Sequence, residues 1–159
     1  MCAPDSTADS QARFRAAAQL SPLRMRSGAA TRFTAPGSVT NGQFGLFEWD
    51  LGPKGSGPAP HFHKTFSESF YILSGNVGLY DGHSWISSGP GDFLYVPISG
   101  VHAFRNDSDT PAKMLIPFSP GAPREKYFEA LAEIGESRRT LSHDEWTEFF
   151  AAHDQYRAE

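Results

Sequence analysis

Histidine and glutamate side chains in one short stretch could together hold a metal ion. In "HFHKTFSE", residues 61 to 68, two histidines stand one residue apart, and Glu68 follows the second by five positions. Side chains at positions i and i+2 of a β-strand project from the same face, so His61 and His63 are expected to point the same way. Glu68 lies beyond the "KTFS" bend on the strand that would return beside them, and His102 near the start of a later strand offers a fourth donor. Three imidazoles and one carboxylate suit a divalent first-row transition metal better than Ca²⁺ or Mg²⁺.

The segment that would position these side chains reads as a series of short β-strands. Between Arg32 and Phe118, apolar or alternating runs such as "FGLFEWDL", "ESFYIL" and "AKMLIPF" are separated by clusters of Gly, Pro, Asn, Asp and Ser. These turn signals recur at intervals of roughly eight to twelve residues, which is typical of an all-β barrel or sandwich. The pair Asp81-Gly82 predicts a two-residue hairpin turn.

The last forty residues show a helical pattern instead. Pro123 suits the first position of a helix, and Gly135 would end it. A second helix is predicted after Ser142, which forms a capping box with Glu145. We expect these two helices to cap the barrel or to form a dimer interface.

The first thirty residues are polar and Ala-rich, and they predict a flexible arm that becomes ordered only by packing on another subunit. The chain therefore divides into an arm at residues 1–30, a barrel at 31–118 and a helical extension at 119–159. Cys2 is the only cysteine, so no intrachain disulfide can form.

Composition excludes several classes of partner. The 159 residues include 14 Lys and Arg against 18 Asp and Glu, for a net charge of -4, and no basic run is present. Binding to nucleic acid is not expected, because no cluster of cations could neutralise phosphates. No stretch of 18 or more apolar residues occurs, so no membrane-spanning helix is expected and a cytoplasmic location fits best.

Two segments resemble the sequence motifs of the cupin superfamily. "GSGPAPHFHKTFSESFYILSG" is similar to the first motif, G-x5-H-x-H-x4-E-x6-G, at Gly55, His61, His63, Glu68 and Gly75. "GDFLYVPISGVHAFRN" is similar to the second, G-x5-P-x-G-x2-H-x3-N, at Gly91, Pro97, His102 and Asn106. Ser99 departs from the pattern, because the family usually has glycine there. The motifs cover about a third of the chain, and the strand pattern extends the resemblance to roughly residues 31–118.

The resemblance implies a fold, a cofactor and two candidate activities. The fold would be a single small β-barrel of the cupin type, a double-stranded β-helix or jelly roll, followed by two α-helices. His61, His63, Glu68 and His102 would bind one divalent transition metal, with Fe, Mn or Ni favoured and Zn or Cu as alternatives. The activity would be that of a dioxygenase similar to the quercetin-dioxygenase-like cupins, or that of a non-redox polyketide cyclase with Zn as a Lewis acid. A non-catalytic binding cupin is the third alternative, and many cupins are homodimers.

The parity of the strands predicts what lies beside the metal. If Glu68 and His102 face inward, Phe70 and Phe104 do so as well, either lining a substrate pocket or filling the core. Such a pocket has little fixed charge and would suit a small, largely apolar or aromatic substrate with oxygen substituents. Glu68 is the candidate proton acceptor, and Glu48 is a second candidate if it points inward. The remaining histidines are expected to face solvent, namely His83, His143 and His153.

Overall fold

The computed structural model describes residues 10–159, so Cys2 and the first nine residues of the predicted arm lie outside the described residues. Within 10–159 the protein has eleven strands, two α-helices and one short 3-10 helix, Ala17–Gln19. The strands are β1 (Leu23–Arg24), β2 (Ala30–Ala35), β3 (Gly45–Leu51), β4 (His61–Phe62), β5 (Ser67–Ser74), β6 (Val77–Tyr80), β7 (Trp85–Ser88), β8 (Phe93–Val96), β9 (Ala103–Arg105), β10 (Ala112–Ser119) and β11 (Tyr156–Arg157). The helices are α1 (Arg124–Ser137) and α2 (His143–Ala152).

The strands form two main sheets whose apolar faces meet in one core. The larger sheet has the order β1-β2-β3-β10-β5-β8 and the smaller has the order β7-β6-β9, with all pairs antiparallel. The burial of β3 alternates along the strand, with Phe47, Trp49 and Leu51 inside. Trp49 and Phe70 of the larger sheet contact Phe104 of the smaller at ring distances of 6.0 and 5.6 Å. This alternation is the reason why the larger sheet buries one face and leaves the other open to solvent.

One turn differs from the sequence expectation. Tyr80 pairs with Trp85, so the β6–β7 loop has the four residues 81–84 and is not a two-residue turn at Asp81-Gly82. The Asp81 carboxylate accepts hydrogen bonds from the backbone N–H groups of His83 and Ser84 at 2.8 and 2.9 Å. The aspartate stabilises the wider loop by mimicking a backbone turn.

Both predicted helices are present, although the first is longer than expected. Helix α2 begins after Ser142, and the capping box with Glu145 is formed in both directions. Gly135 does not end α1, which continues to Ser137 and closes with Arg138 in the left-handed region at a φ of 54°. A Cβ at position 135 would lie 3.1 Å from the Cβ of Arg26, so the glycine serves close packing of the N-terminal segment. Among residues 10–159, neither helix is long and apolar enough to cross a lipid bilayer.

The described part of the N-terminal segment lies against the same chain. Arg15 donates hydrogen bonds to the carbonyl oxygens of Thr34 and Phe33 at 2.9 and 3.0 Å, and β1 pairs with β2. Met25 and Ala29 pack on the core. The division of the chain at residues 30 and 118 remains a prediction.

Candidate metal centre

The four residues that the sequence nominated as ligands are brought together in the structure. His61 lies in β4, His63 follows it, Glu68 lies in β5 and His102 directly precedes β9. Each offers one donor atom, these atoms lie within 4.8 Å of one another, and all four residues are buried. A buried group of three imidazoles and one carboxylate is the kind of site that a transition metal occupies.

Backbone pairing sets the positions of the histidines. His61 and His102 exchange two N–H···O hydrogen bonds of 3.0 and 2.9 Å as an isolated antiparallel bridge. The N–H of Ser99 donates to the carbonyl of His63 at 2.7 Å. The two loop segments that carry the three imidazoles are therefore held together by the main chain.

The outer nitrogen of each imidazole is hydrogen-bonded to a backbone carbonyl. Nδ1 of His61 lies 2.8 Å from the oxygen of Ala59, and Nδ1 of His63 lies 2.7 Å from that of Asp154. Nδ1 of His102 lies 3.0 Å from the oxygen of Gly100. A carbonyl oxygen can only accept, so each Nδ1 carries a proton, and the lone pair of each neutral ring is on Nε2. This arrangement leaves three Nε2 atoms available as metal ligands.

The Nε2 atoms face the carboxylate at distances that fit a shared ion. The Oε2 atom of Glu68 lies 2.7 Å from Nε2 of His102 and 3.4 Å from Nε2 of His63. Nε2 of His63 is buried and has no hydrogen-bond partner, which is costly for a polar atom unless a ligand satisfies it. Ligands that bind one ion at roughly 2.0–2.2 Å can stand this close to one another. The donor set therefore fits a divalent metal.

The ionisation of the site also favours a cation. Burial, reinforced by the charge of His102, lowers the pKa of His61 to about 3, so this imidazole is neutral near pH 7. Burial alone would raise the pKa of Glu68, but the hydrogen bond from His102 and the imidazole of His63, 3.4 Å away, outweigh it and hold that pKa well below its ordinary value. Burial disfavours the charged form of His102, yet the hydrogen bond and charge of Glu68 outweigh it and raise the pKa of His102. A divalent metal would replace the Nε2 proton of His102, which leaves a negative carboxylate beside neutral imidazoles, the state in which metals bind.

A cavity of about 500 Å³ opens onto the metal ligands. His61 and Glu68 line it, and so does Phe104 of β9. Helices α1 and α2 contribute much of the wall, including Tyr127 and Trp146. The C-terminal helices thus enclose the space beside the metal site within the same chain.

Phe70, which the sequence placed beside the metal together with Phe104, does not line this cavity. Its side chain is fully buried in the core cluster, with its ring 5.7 Å from that of His102 and 5.6 Å from that of Phe104. It supports the ligand and the cavity wall from behind.

The suggestion that Glu48 is a general base is wrong. Glu48 has the opposite parity to Phe47 and Trp49, which face the core. Its carboxylate is on the outer face of the sheet, 2.9 Å from Arg32 and 3.2 Å from Lys113. Inward placement would have buried a carboxylate among aromatic rings, which is far costlier than exposing it.

Sequence reasoning missed the C-terminal segment as a part of the site. The carbonyl oxygen of Asp154 accepts from His63, and its carboxylate accepts from the backbone N–H groups of Lys64 and Thr65 at 2.9 Å each. Strand β11 then pairs with β4, with Arg157 opposite His61. These contacts join residues that are 89 to 91 positions apart in the sequence, and no local sequence pattern predicts them.

Sequence reasoning also missed Arg124. Because this arginine lines the cavity, the expectation of a pocket with little fixed charge was wrong. Its side chain is only 4% exposed and lines the cavity, with the guanidinium 4.2 Å above the ring of Tyr127. The one available signal was an arginine in the first turn of a predicted helix, where the helix dipole disfavours a cation.

Comparison with known proteins gives a family match for the central segment of the chain. Residues 47–118 match the family described as "Cupin domain". This segment of the chain is a cupin domain. The chain is also 36% identical over 102 residues to quercetin 2,3-dioxygenase of Bacillus subtilis (strain 168), a match that covers 64% of this chain and 29% of that protein. The chain thus spans less than a third of the length of this relative.

Solved structures share the fold of the cupin domain. The polyketide cyclase RemF from Streptomyces resistomycificus superposes with a TM-score of 0.58 at 20% identity, over 69% of this chain and 80% of that one. KdgF from Halomonas sp. superposes with a TM-score of 0.61 at 14% identity, over 69% and 94% of the two chains. The predicted all-β cupin fold with two C-terminal helices is confirmed.

The cupin motif residues outside the ligand set stabilise turns. Ser99, which departs from the motif, has a φ of 69°, a conformation that favours glycine. Asn106 is buried and makes four hydrogen bonds, donating to Gly52 and Thr110 and accepting two from Ser108. His83 and His143 are exposed, while His153 is half-buried against Tyr127.

Proposed function

We propose that this protein is a metal-dependent cupin enzyme, most simply a dioxygenase-type oxidoreductase acting on a small, apolar or aromatic substrate with oxygen substituents. The observation that carries the proposal is the opening of a His₃Glu donor set onto a cavity of about 500 Å³. Sites of this kind, with a few polar groups in an apolar pocket, are typical of small-molecule enzymes. The 36% identity to a protein named quercetin 2,3-dioxygenase supports the oxygenase branch.

Each ligand residue has a defined role in this proposal. His61, His63 and His102 hold the metal through Nε2, and Glu68 holds it through its carboxylate. Bound there, an iron, manganese or nickel ion would polarise a substrate oxygen and supply redox chemistry with O₂. The carbonyl oxygens of Ala59, Asp154 and Gly100 keep the rings in the required tautomer and orientation.

The other residues of the cavity would bind the substrate, accept its proton and donate a hydrogen bond to it. Trp49, Phe104 and Phe128 present aromatic walls that exclude water and suit a flat ligand. Among residues 10–159, Glu68 is the single carboxylate on the wall, and it is therefore the catalytic proton acceptor that we propose. Burial raises the pKa of Tyr127, so its phenol stays protonated and can donate a hydrogen bond to a substrate oxygen.

Oxygen consumption tests the reaction class. We expect the metal-loaded protein to consume O₂ in step with the loss of an oxygenated aromatic substrate, screened from flavonols such as quercetin to hydroxylated aromatic acids, and to stop under anaerobic conditions. His61→Ala should abolish turnover together with metal binding, whereas His83→Ala, an exposed histidine in a loop, should retain both. Turnover of the same substrate at full rate without O₂ would replace this proposal with the non-redox cyclase, in which the metal acts only as a Lewis acid.

A further inference from the structure

The cavity beside the metal ligands contains a buried cation that forms no direct ion pair among the described residues. Arg124 is the first residue of α1, is 4% exposed and lines the same cavity as His61 and Glu68. Nη1 donates to the carbonyl of His153 at 2.8 Å, and Nη2 donates to Oε1 of Gln155 at 3.0 Å. Both acceptors are neutral, and within residues 10–159 the structure gives Arg124 no ion pair with a carboxylate.

Its hydrogen-bonding capacity is also incompletely used. The Nε atom of Arg124 is buried and has no hydrogen-bond partner. The guanidinium carries five N–H donors in a fixed planar fork, and the two bonds above satisfy only part of them. A buried, unpaired charge with unused donors is costly, and position 124 adds the unfavourable field of the helix N-terminus. Such an arrangement persists when a ligand completes it.

Positive charge predominates around the whole cavity. Glu68 is the carboxylate on its wall, whereas four arginines contribute to that wall, Arg26, Arg124, Arg139 and Arg157. Apart from Arg124 these arginines are exposed, so they add a positive rim toward solvent. This local excess contrasts with the net charge of -4 of the chain. A rim of this kind attracts anions from solution.

A metal in the site would increase the imbalance. Glu68 and Arg124 contribute one negative and one positive charge, which cancel. A divalent ion would then leave two positive charges in a space walled largely by apolar side chains. A ligand with an anionic group offsets this excess, and a neutral ligand does not.

We infer that the cavity binds an aromatic carboxylate, with the anionic group paired to Arg124 and the ring against the apolar wall formed by residues such as Trp49 and Phe104. The planar fork of arginine matches the two oxygens of a carboxylate. Tyr127 stacks on the guanidinium at 4.2 Å and fixes its plane. The inference rests on the proposed function in that this ligand represents the substrate class, and it narrows that class from apolar oxygenated compounds to acids.

Binding of a matched pair of compounds tests the inference. The probes are 2-naphthoate and its neutral analogue 2-naphthamide, titrated calorimetrically into the full chain in the metal-loaded and the metal-free state. We expect 2-naphthoate to bind at least tenfold more tightly than 2-naphthamide in both states. Arg124→Gln should remove this preference, and Arg24→Gln, at an exposed arginine outside the cavity lining, should leave it unchanged.

The outcomes that overturn the inference are distinct. Equal binding of the two probes to wild type, or binding of neither, overturns it without any variant. A preference for 2-naphthoate that needs the metal and survives Arg124→Gln also overturns it, because the carboxylate is then bound by the metal. If Arg124→Gln does not fold, Arg124→Lys keeps the charge without the fork and should lose most of the preference. A preference that persists in metal-free protein, together with no O₂ consumption by the metal-loaded protein on any substrate tested, supports the inference and rejects the oxygenase.

Discussion

Single residues set the chemistry of the site through their immediate backbone partners. Each ligand histidine is oriented by one carbonyl oxygen at 2.7–3.0 Å, which selects the tautomer with a free Nε2. The turn between β8 and β9 brings Ser99 into contact with the ligand segment, since its N–H donates to His63. Ser99 makes this contact from the left-handed region, where an L-residue with a Cβ is strained.

Replacement of Ser99 by glycine should therefore stabilise the protein. Glycine relieves the strain at a φ of 69°, which stabilises the folded chain, and it raises the entropy of the unfolded chain, which destabilises the fold. The first effect is the larger, so we expect the free energy of unfolding to increase by about 0.5–1 kcal/mol. Urea denaturation measures it. Ser38→Gly is the control, because Ser38 is exposed and lacks a positive φ, so glycine should bring no gain there. An unchanged or lower stability of Ser99→Gly would show that the turn is unstrained.

At the scale of elements, the strands and the loops beside them supply the four ligand residues, and the C-terminal segment packs against the bend after β4, which carries His63. Asp154 contacts the ligand bend through both its carbonyl and its carboxylate, while Arg124 at the start of α1 holds the carbonyl of His153. Strand β11 then adds to β4 beside His61. The helical extension is thus a structural part of the metal centre.

The Asp154 carboxylate should make stability depend on pH. Burial opposes its charge, but hydrogen bonds from Thr65 and Lys64 outweigh this and lower the pKa of Asp154. A lowered folded-state pKa gives stability that is present above the ordinary aspartate pKa and lost as the pH falls from about 4 through the folded value. Asp154→Asn should therefore cost about 1 kcal/mol at pH 7 and much less at pH 3.

Urea unfolding of wild type and variant at the two pH values measures this difference. Asp109→Asn is the control, because the Asp109 side chain is 89% exposed and lies 3.6 Å from Lys54, so little change is expected at either pH. An equal loss for Asp154→Asn at pH 7 and pH 3 would contradict an electrostatic role for this carboxylate.

At the scale of the whole molecule, metal binding and folding are linked. The ligands come from β4, the bend after it, β5 and the residue before β9, so the complete site exists only in the folded chain. The expected homodimer and the substrate remain proposals, whereas the cupin domain is shown.

Removal of the metal should lower the melting temperature. A metal present at about a hundred times its Kd stabilises the fold by roughly 2.7 kcal/mol, which corresponds to about 5–10 °C for a chain of this size. Scanning calorimetry with and without chelator measures the shift. His102→Ala should show no chelator-dependent shift, and His83→Ala should keep it in full. A wild-type protein that takes up no stoichiometric transition metal under any loading condition would reject the site.

The sequence by itself determined those features that repeat locally or stand at a set spacing. Strand alternation and turn residues predicted the all-β domain, the capping box at Ser142 predicted α2, and the motif spacing nominated His61, His63, Glu68 and His102. The tertiary structure decided which elements enclose the cavity. The contacts of His63 with Asp154 and of Arg124 with Gln155 span 91 and 31 positions, and they depend on where α1 and α2 pack. Periodicity reports which face of an element is buried but not what it is buried against. For that reason the strand residues alone predicted a pocket with little charge, whereas helix α1 adds the buried Arg124 to its wall.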